Sequence, residues 1–150
     1  MIQRSKERIK TTGEVFTPFA LVEEMVGQLP ESVWEATKTF LDPSCGDGNF
    51  LVRVVAHKIN RGSTIEQALN STYGVELMED NCEWAKKRVL ITAYLTQFTN
   101  ELLPELTYDV VNEVLLREDF NAFWMEFEHI VNKNIVCADA LTYDYRFGEI

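Results

Sequence analysis

Proline is scarce in this chain. Of 150 residues only Pro18, Pro30, Pro43 and Pro104 are prolines, no two of them adjacent, and there are seven glycines. No Pro/Gly/Ser-rich linker, internal repeat or low-complexity tract breaks the sequence, so a single domain over 1–150 is expected. The three cysteines, Cys45, Cys82 and Cys137, are odd in number, far apart and without a CxxC pair, which excludes a disulfide framework and gives no zinc signature. His57 and His129 sit in helix-like segments and read as packing or surface residues. Positive charge is also short: 14 basic residues face 24 acidic ones, a formal charge of -10. A chain of that balance does not hold a polyanion by its overall field, and phosphate neutralisation would need a local patch. The one basic run, Arg4, Lys6, Arg8 and Lys10, is expected to form a mobile arm over residues 1–12, a weak candidate for DNA contact and more often only a solvated terminus. No apolar stretch reaches membrane-spanning length, and Met1 to Lys6 lacks the apolar core of a signal peptide. No membrane association and a cytoplasmic location are therefore expected.

What is present suffices for a core. Hydrophobic residues make up 46% and aromatics 11% of the chain, enough at this length for a folded domain. The most informative stretch runs from Asp42 to Leu51, DPSCGDGNFL. Phe40 and Leu41 before it suit a buried parallel strand, while Phe50, Leu51, Val54, Val55 and Ile59 recur at helical spacing until Gly62. Strand, glycine turn and helix are the local shape of a nucleotide-type site. Gly46 and Gly48 permit backbone angles and close approaches that a Cβ forbids. Asp42 at the strand's end would repel a phosphate, and Asp47 adds to that charge. A ligand with ammonium and sulfonium centres therefore fits better than a dinucleotide pyrophosphate.

On these residues the chain resembles the S-adenosyl-L-methionine (AdoMet)-dependent DNA adenine-N6 methyltransferases of restriction-modification systems. Gly13-Glu14-Val15-Phe16-Thr17-Pro18, followed by Leu21, Val22 and Met25, looks like the family's amino-terminal cofactor motif. Asp42, Pro43, Ser44, Cys45, Gly46, Asp47, Gly48 and Phe50 fall in its main glycine motif. Tyr73 to Met78 resembles the second strand, and the resemblance implies that Glu76 takes the ribose hydroxyls with Leu77 and Met78 beside it. Ile135 to Leu141 resembles the third, implying that Asp139, next to Ala140, meets the adenine amino group. The resemblance thus implies AdoMet as cofactor and a Rossmann-like α/β methyltransferase fold.

Plainer readings stand beside each role. Glu76 is well placed, two to three dozen residues past the glycine turn, to accept ribose hydroxyls, but could be a solvated carboxylate. Asp139 could cap the following turn. Met78 could fill core. Thr17 reads as an N-cap with Pro18 as first helical residue, a helix start that could also hold the cofactor's carboxylate. Phe16 reads either as a cover on the cofactor or as a hydrophobic staple.

Proline scarcity matters once the resemblance is drawn. In the family, catalysis follows a fourth strand ending in Asn or Asp, then Pro-Pro and an aromatic. No proline follows the third predicted strand, and the sequence stops at Ile150, where that fourth strand is expected to begin. Asn112, Asn132 and Asn134 lack the context. No catalytic residue is therefore assigned, and none for a metal.

Helices are expected near residues 18–28, 32–37, 49–61, 64–71, 80–98, 108–117 and 119–132, and strands near 39–42, 72–77 and 135–138. Ser63-Thr64-Ile65-Glu66 reads as a capping box. Phe120, Phe123, Trp124, Phe127, Ile130 and Val131 form one apolar helix face, read as a cover for the sheet ahead of a partner-binding surface. A partial parallel sheet of about three strands leaves an open edge beside the first strand, where a second copy or a partner subunit is expected to dock. The expected function is the cofactor-binding portion of a DNA adenine-N6 methyltransferase, with catalytic motif and target recognition supplied from a longer protein or a partner and DNA bound only in the completed assembly. The alternatives are a non-catalytic AdoMet-binding regulatory or interaction protein, and a non-binding remnant kept for association.

Overall fold

The computed structural model describes residues 16–149. The expected basic arm over 1–12 and the beginning of the Gly13 to Pro18 motif lie outside the described residues. The elements are α1 (Phe19–Gly27), a 3-10 turn (Glu31–Trp34), β1 (Phe40–Asp42), α2 (Asn49–Asn60), α3 (Ile65–Asn70), β2 (Thr72–Glu76), α4 (Glu79–Leu95), a second 3-10 turn (Thr96–Phe98), α5 (Tyr108–Leu115), α6 (Glu118–Asn134) and β3 (Ile135–Cys137). The strands form one sheet in the order β1-β2-β3, with Phe40 opposite Thr72 and Gly74 opposite Ile135, both pairs parallel. The fold is Rossmann-like α/β.

Local departures from the expected elements have local causes. The helix expected over 32–37 is only the turn Glu31–Trp34, because Glu35 leaves helical backbone at ψ 143°; a segment this short does not repay helix nucleation. The capping box sits one residue later than expected, with Thr64 accepting from the Gln67 N–H and the Gln67 side chain accepting from the Thr64 N–H. Ser63 cannot serve, because its N–H is already spent on the Lys58 carbonyl at 3.0 Å, while Gly62 N–H bonds Ile59. These two bonds, with Gly62 at φ +104°, are a Schellman closure of α2.

Strand alternation divides the sheet into two faces. Phe40 and Ile135 pack into the helical core, whose buried members include Leu51, Val55, Leu90, Ile91 and Val131. Gly74 lies on that face too, and a Cβ there would come 2.7 Å from Leu51 Cδ1 and 3.0 Å from Cys45 Sγ. Leu51 is fully buried and cannot swing away. Gly74→Ala is therefore expected to lower unfolding free energy by about 1–3 kcal/mol through overpacking, read by chemical denaturation; an unchanged midpoint would contradict the fit of α2 onto β2. The aromatic face of α6 is a cover, as expected: Tyr94 on α4 meets Phe120 and Phe123 edge-on, with centroids 5.3 and 5.6 Å apart.

The other face is thinly covered at its β1 edge. Leu41 is 44% exposed, and the Tyr73 ring packs on Phe147, with centroids 4.7 Å apart. Beyond β1 no further strand pairs among the described residues. At the opposite end of the strands the buried Lys58 donates to Ser71 Oγ and to the Lys38 carbonyl, joining α2 to the chain that enters β1 and β2.

Candidate functional site

The carboxyl end of the sheet is assembled by the glycine turn. Asp42 Oδ1 accepts the Ser44 N–H at 3.0 Å, which bends the chain off β1. Cys45 N–H then bonds the Val75 carbonyl at 3.0 Å, fastening the turn to the neighbouring strand. Gly46 and Gly48 both take left-handed backbone, at φ +57° and +97°. Each also permits a close approach: a Cβ at Gly46 would lie 3.2 Å from the Phe16 ring, and one at Gly48 would lie 3.2 Å from Ala85 Cα. The first contact brings Phe16 over the turn; the second lets α4 pack beneath it.

Glu76 holds this arrangement together. Its side chain accepts three bonds, from Gly46 N–H at 3.2 Å through Oε1 and from Met78 N–H and Asn81 Nδ2, both at 3.1 Å, through Oε2. One carboxylate thus links the glycine turn, the exit of β2 and the first turn of α4. Its own carbonyl accepts the Ala138 N–H at 3.0 Å, which sets the exit of β3 alongside. Asp139 follows, exposed, with Oδ1 accepting the Leu141 N–H at 2.9 Å. The turn-capping reading of Asp139 is realised, on a carboxylate that stays open to solvent.

The site's electrostatics are those of unneutralised acid. Neither Asp42 nor Glu76 has a basic partner among the described residues. Burial lifts the Asp42 carboxyl above its ordinary value of 3.8; the Ser44 hydrogen bond opposes this and the Glu76 charge reinforces it. Asp42 is therefore a carboxylate short of positive charge.

Other expected residues are placed differently. Asp47 is 1% exposed and lies 3.1 Å from Arg88 Nη1, so its charge is turned inward and offset instead of adding to the mouth of the turn. The contact is one of charge, since neither Asp47 carboxylate oxygen has an aligned donor among the described residues. Cys45 packs in the main core, where burial pushes its thiol well above the usual range. Phe50 leans on the small cluster of Val22, Val26, Trp34 and Val54. Pro43, Ser44 and Leu77 are exposed, and Met78 and Ala140 half-buried, at the strand ends. Thr17 is not the N-cap: α1 starts at Phe19, and Pro18, extended at ψ 151°, holds the cap position without a side-chain bond. The Pro18 carbonyl accepts the Val22 N–H, while the Thr17 carbonyl accepts Asn49 Nδ2 at 2.8 Å.

That last bond exposes residues the sequence reading passed over. Arg88 Nη1 donates to the Asp47 carbonyl at 2.9 Å and to Asn49 Oδ1 at 2.8 Å, so Arg88, Asn49 and Thr17 form a chain from α4 through the glycine turn to α1. Asn81, fully buried, does the same for Glu76. Asn81 lies five residues past Glu76 in the opening turn of a helix, a spacing that could have drawn notice; Arg88 gave no local signal.

The profile of the N-6 DNA Methylase family matches residues 1–103. The chain belongs to the N-6 DNA methylase family. The match spans α1, β1, the glycine turn, β2 and α4, which carry Asp42, Gly46, Glu76 and Asn81. In this family member the segment with α5, α6, β3 and Asp139 lies beyond the match. No curated protein and no solved structure matches the chain. No helix among the described residues is long and apolar enough to cross a membrane.

Proposed function

We propose that this methylase-family chain binds AdoMet at the carboxyl ends of β1, β2 and β3, as the cofactor-binding portion of a DNA adenine-N6 methyltransferase of restriction-modification type. The observation that carries this reading is the pair Asp42 and Glu76, two carboxylates with no cation beside them among the described residues, next to a glycine turn whose left-handed backbone and 3.2 Å approaches crowd out a side chain. A cationic ligand meets that deficit; a pyrophosphate would aggravate it. Asp42 would face the cofactor's positive end, Glu76 and Asp139 would take its ribose and adenine, and Phe16 would cover the turn. When bound, AdoMet supplies an electrophilic methyl group. This chain's own residues bind and orient; none is assigned to the target base. The Asn or Asp, Pro-Pro and aromatic of the catalytic loop, and the means of recognising DNA, would come from elsewhere in a longer protein or from a partner.

Asp42→Asn separates binding from folding. Asparagine keeps an oxygen for the Ser44 N–H and removes a charge whose folded-state pKa is raised. Such a group's contribution to stability is fully present below the unfolded value of 3.8 and is lost as pH rises through the folded one. At neutral pH the variant should therefore melt no lower than the parent. Its AdoMet affinity should fall by about ten- to a hundredfold, the worth of a charged hydrogen bond at ~1.5–3 kcal/mol. A variant that binds as the parent does would remove Asp42 from the site.

The partner reading rests on β1. Its outer edge and Leu41 are uncovered among the described residues, and exposed strand edges are commonly paired or blunted. A second copy or a partner subunit is proposed to dock there. Sedimentation equilibrium of the isolated chain at high micromolar concentration should show self-association, and a strict monomer would exclude the homodimer.

A further inference from the structure

A cavity of about 370 Å³ lies between α2 and α4 under the segment Leu103 to Leu106. Phe16, Thr17 and Pro18 of the amino-terminal motif line one end of it, but among the described residues no strand residue and none of Asp42, Glu76 or Asp139 does, so it adjoins the proposed cofactor cradle on the helical side without including the strand-end carboxylates. Its size falls at the small end of ligand pockets, which run from about 300 to 1,000 Å³. Val52, Leu95, Leu106 and Val110 give it an apolar wall.

Two guanidinium groups border that wall, each 4% exposed. Arg53 is anchored: Nε donates to Glu23 at 2.6 Å, and Nη1 to the Leu103 carbonyl at 2.7 Å and, more weakly, to that of Pro104 at 3.3 Å. Arg88 is only partly so. Its Nη1 serves the Asp47 carbonyl and Asn49, but its buried Nε has no acceptor among the described residues. A buried donor without a partner is uncommon in folded proteins and calls for an explanation. The planar fork of arginine matches the geometry of carboxylate and phosphate groups. Glu105, also on the lining, weighs against a ligand of higher negative charge.

We propose that this cavity binds a small monocarboxylate with an apolar body, its carboxylate toward Arg88 and its hydrocarbon among Val52, Leu95, Leu106 and Val110. The site is assembled from both helices that carry the glycine turn, and Arg88 is shared between the two regions.

The probe is sodium hexanoate, titrated into the methyl-labelled full chain by NMR, with 1-hexanol as the uncharged control. Saturable shifts are expected at the methyls of Val52, Leu95, Leu106 and Val110, with hexanol bound at least about tenfold more weakly, the least that loss of a charged hydrogen bond should produce. Val52→Trp, which fills the cavity, should abolish the shifts at the other three residues. If that variant fails to fold, the parent's shift map and the hexanol comparison decide. No saturation by tens of millimolar hexanoate, equal affinity for hexanol, or shifts centred elsewhere would each overturn the proposal. The readout is hexanoate alone, so it stands whether or not the chain binds AdoMet.

Discussion

Arg88→Met is expected to destabilise the fold by about 3–5 kcal/mol, the cost of leaving one member of a buried charge pair alone. Asp47 is 1% exposed, and Arg88 Nη1 at 3.1 Å is its only basic contact among the described residues. Without the guanidinium the Asp47 carboxylate must stay buried unpaired, take up a proton, or drag the glycine turn toward water. The loss extends further, because the same nitrogen donates to the Asp47 carbonyl and to Asn49 Oδ1. Arg88→Lys should recover only part of the loss, since a single ammonium cannot reproduce the planar fork. A double variant, Arg88→Met with Asp47→Asn, should be more stable than Arg88→Met alone because it removes the stranded charge. Urea denaturation of the parent, Arg88→Met, Asp47→Asn and the double variant measures this cycle. Additivity of the two single changes would show that the pair is not coupled and that the turn is held by other contacts.

Glu76→Ala is expected to act on both stability and binding. It strips acceptors from Gly46 N–H, Met78 N–H and Asn81 Nδ2 at once. Asn81 is fully buried, whereas the two backbone groups lie nearer the surface, so a net loss of about 1–3 kcal/mol is expected. The consequence for AdoMet should be larger than the lost ribose bonds alone, because the turn that shapes the cradle is released with them. Glu76→Gln is the sharper comparison. Its amide nitrogen must face either Gly46 N–H or Met78 N–H and Asn81, donor against donor, so glutamine should restore volume without restoring the link. Thermal melting with hydrogen exchange at Gly46 and Met78 reads this out. Protection of both amides unchanged in Glu76→Gln would contradict the linking role.

The pattern of what was legible in the sequence follows from the range of each interaction. The three strands, the glycine turn and the aromatic face of α6 are written in nearest-neighbour alternation and in three-and-four spacing, and they fall where those patterns place them. The cap positions slipped by one residue because neighbouring groups compete. Ser63 is consumed by the end of α2, and Pro18 takes the cap position that Thr17 was expected to hold. Asp47 departs from its expected role for a different reason: its partner, Arg88, lies forty-one residues away, and no local pattern distinguishes a carboxylate aimed at a ligand from one aimed at an arginine. Asn49 and Asn81 act on Thr17 and Glu76 through side chains alone, which a reading of helical spacing treats as ordinary polar positions.

The central claim is that the carboxylates of Asp42 and Glu76, with the turn at Gly46, form a cofactor cradle. Titration calorimetry of the purified chain with AdoMet, run beside Glu76→Ala, tests it most directly. Saturable one-to-one binding by the parent, lost in the folded variant, is the predicted result. Absence of binding by a well-folded parent, or equal binding by parent and Glu76→Ala, would contradict it.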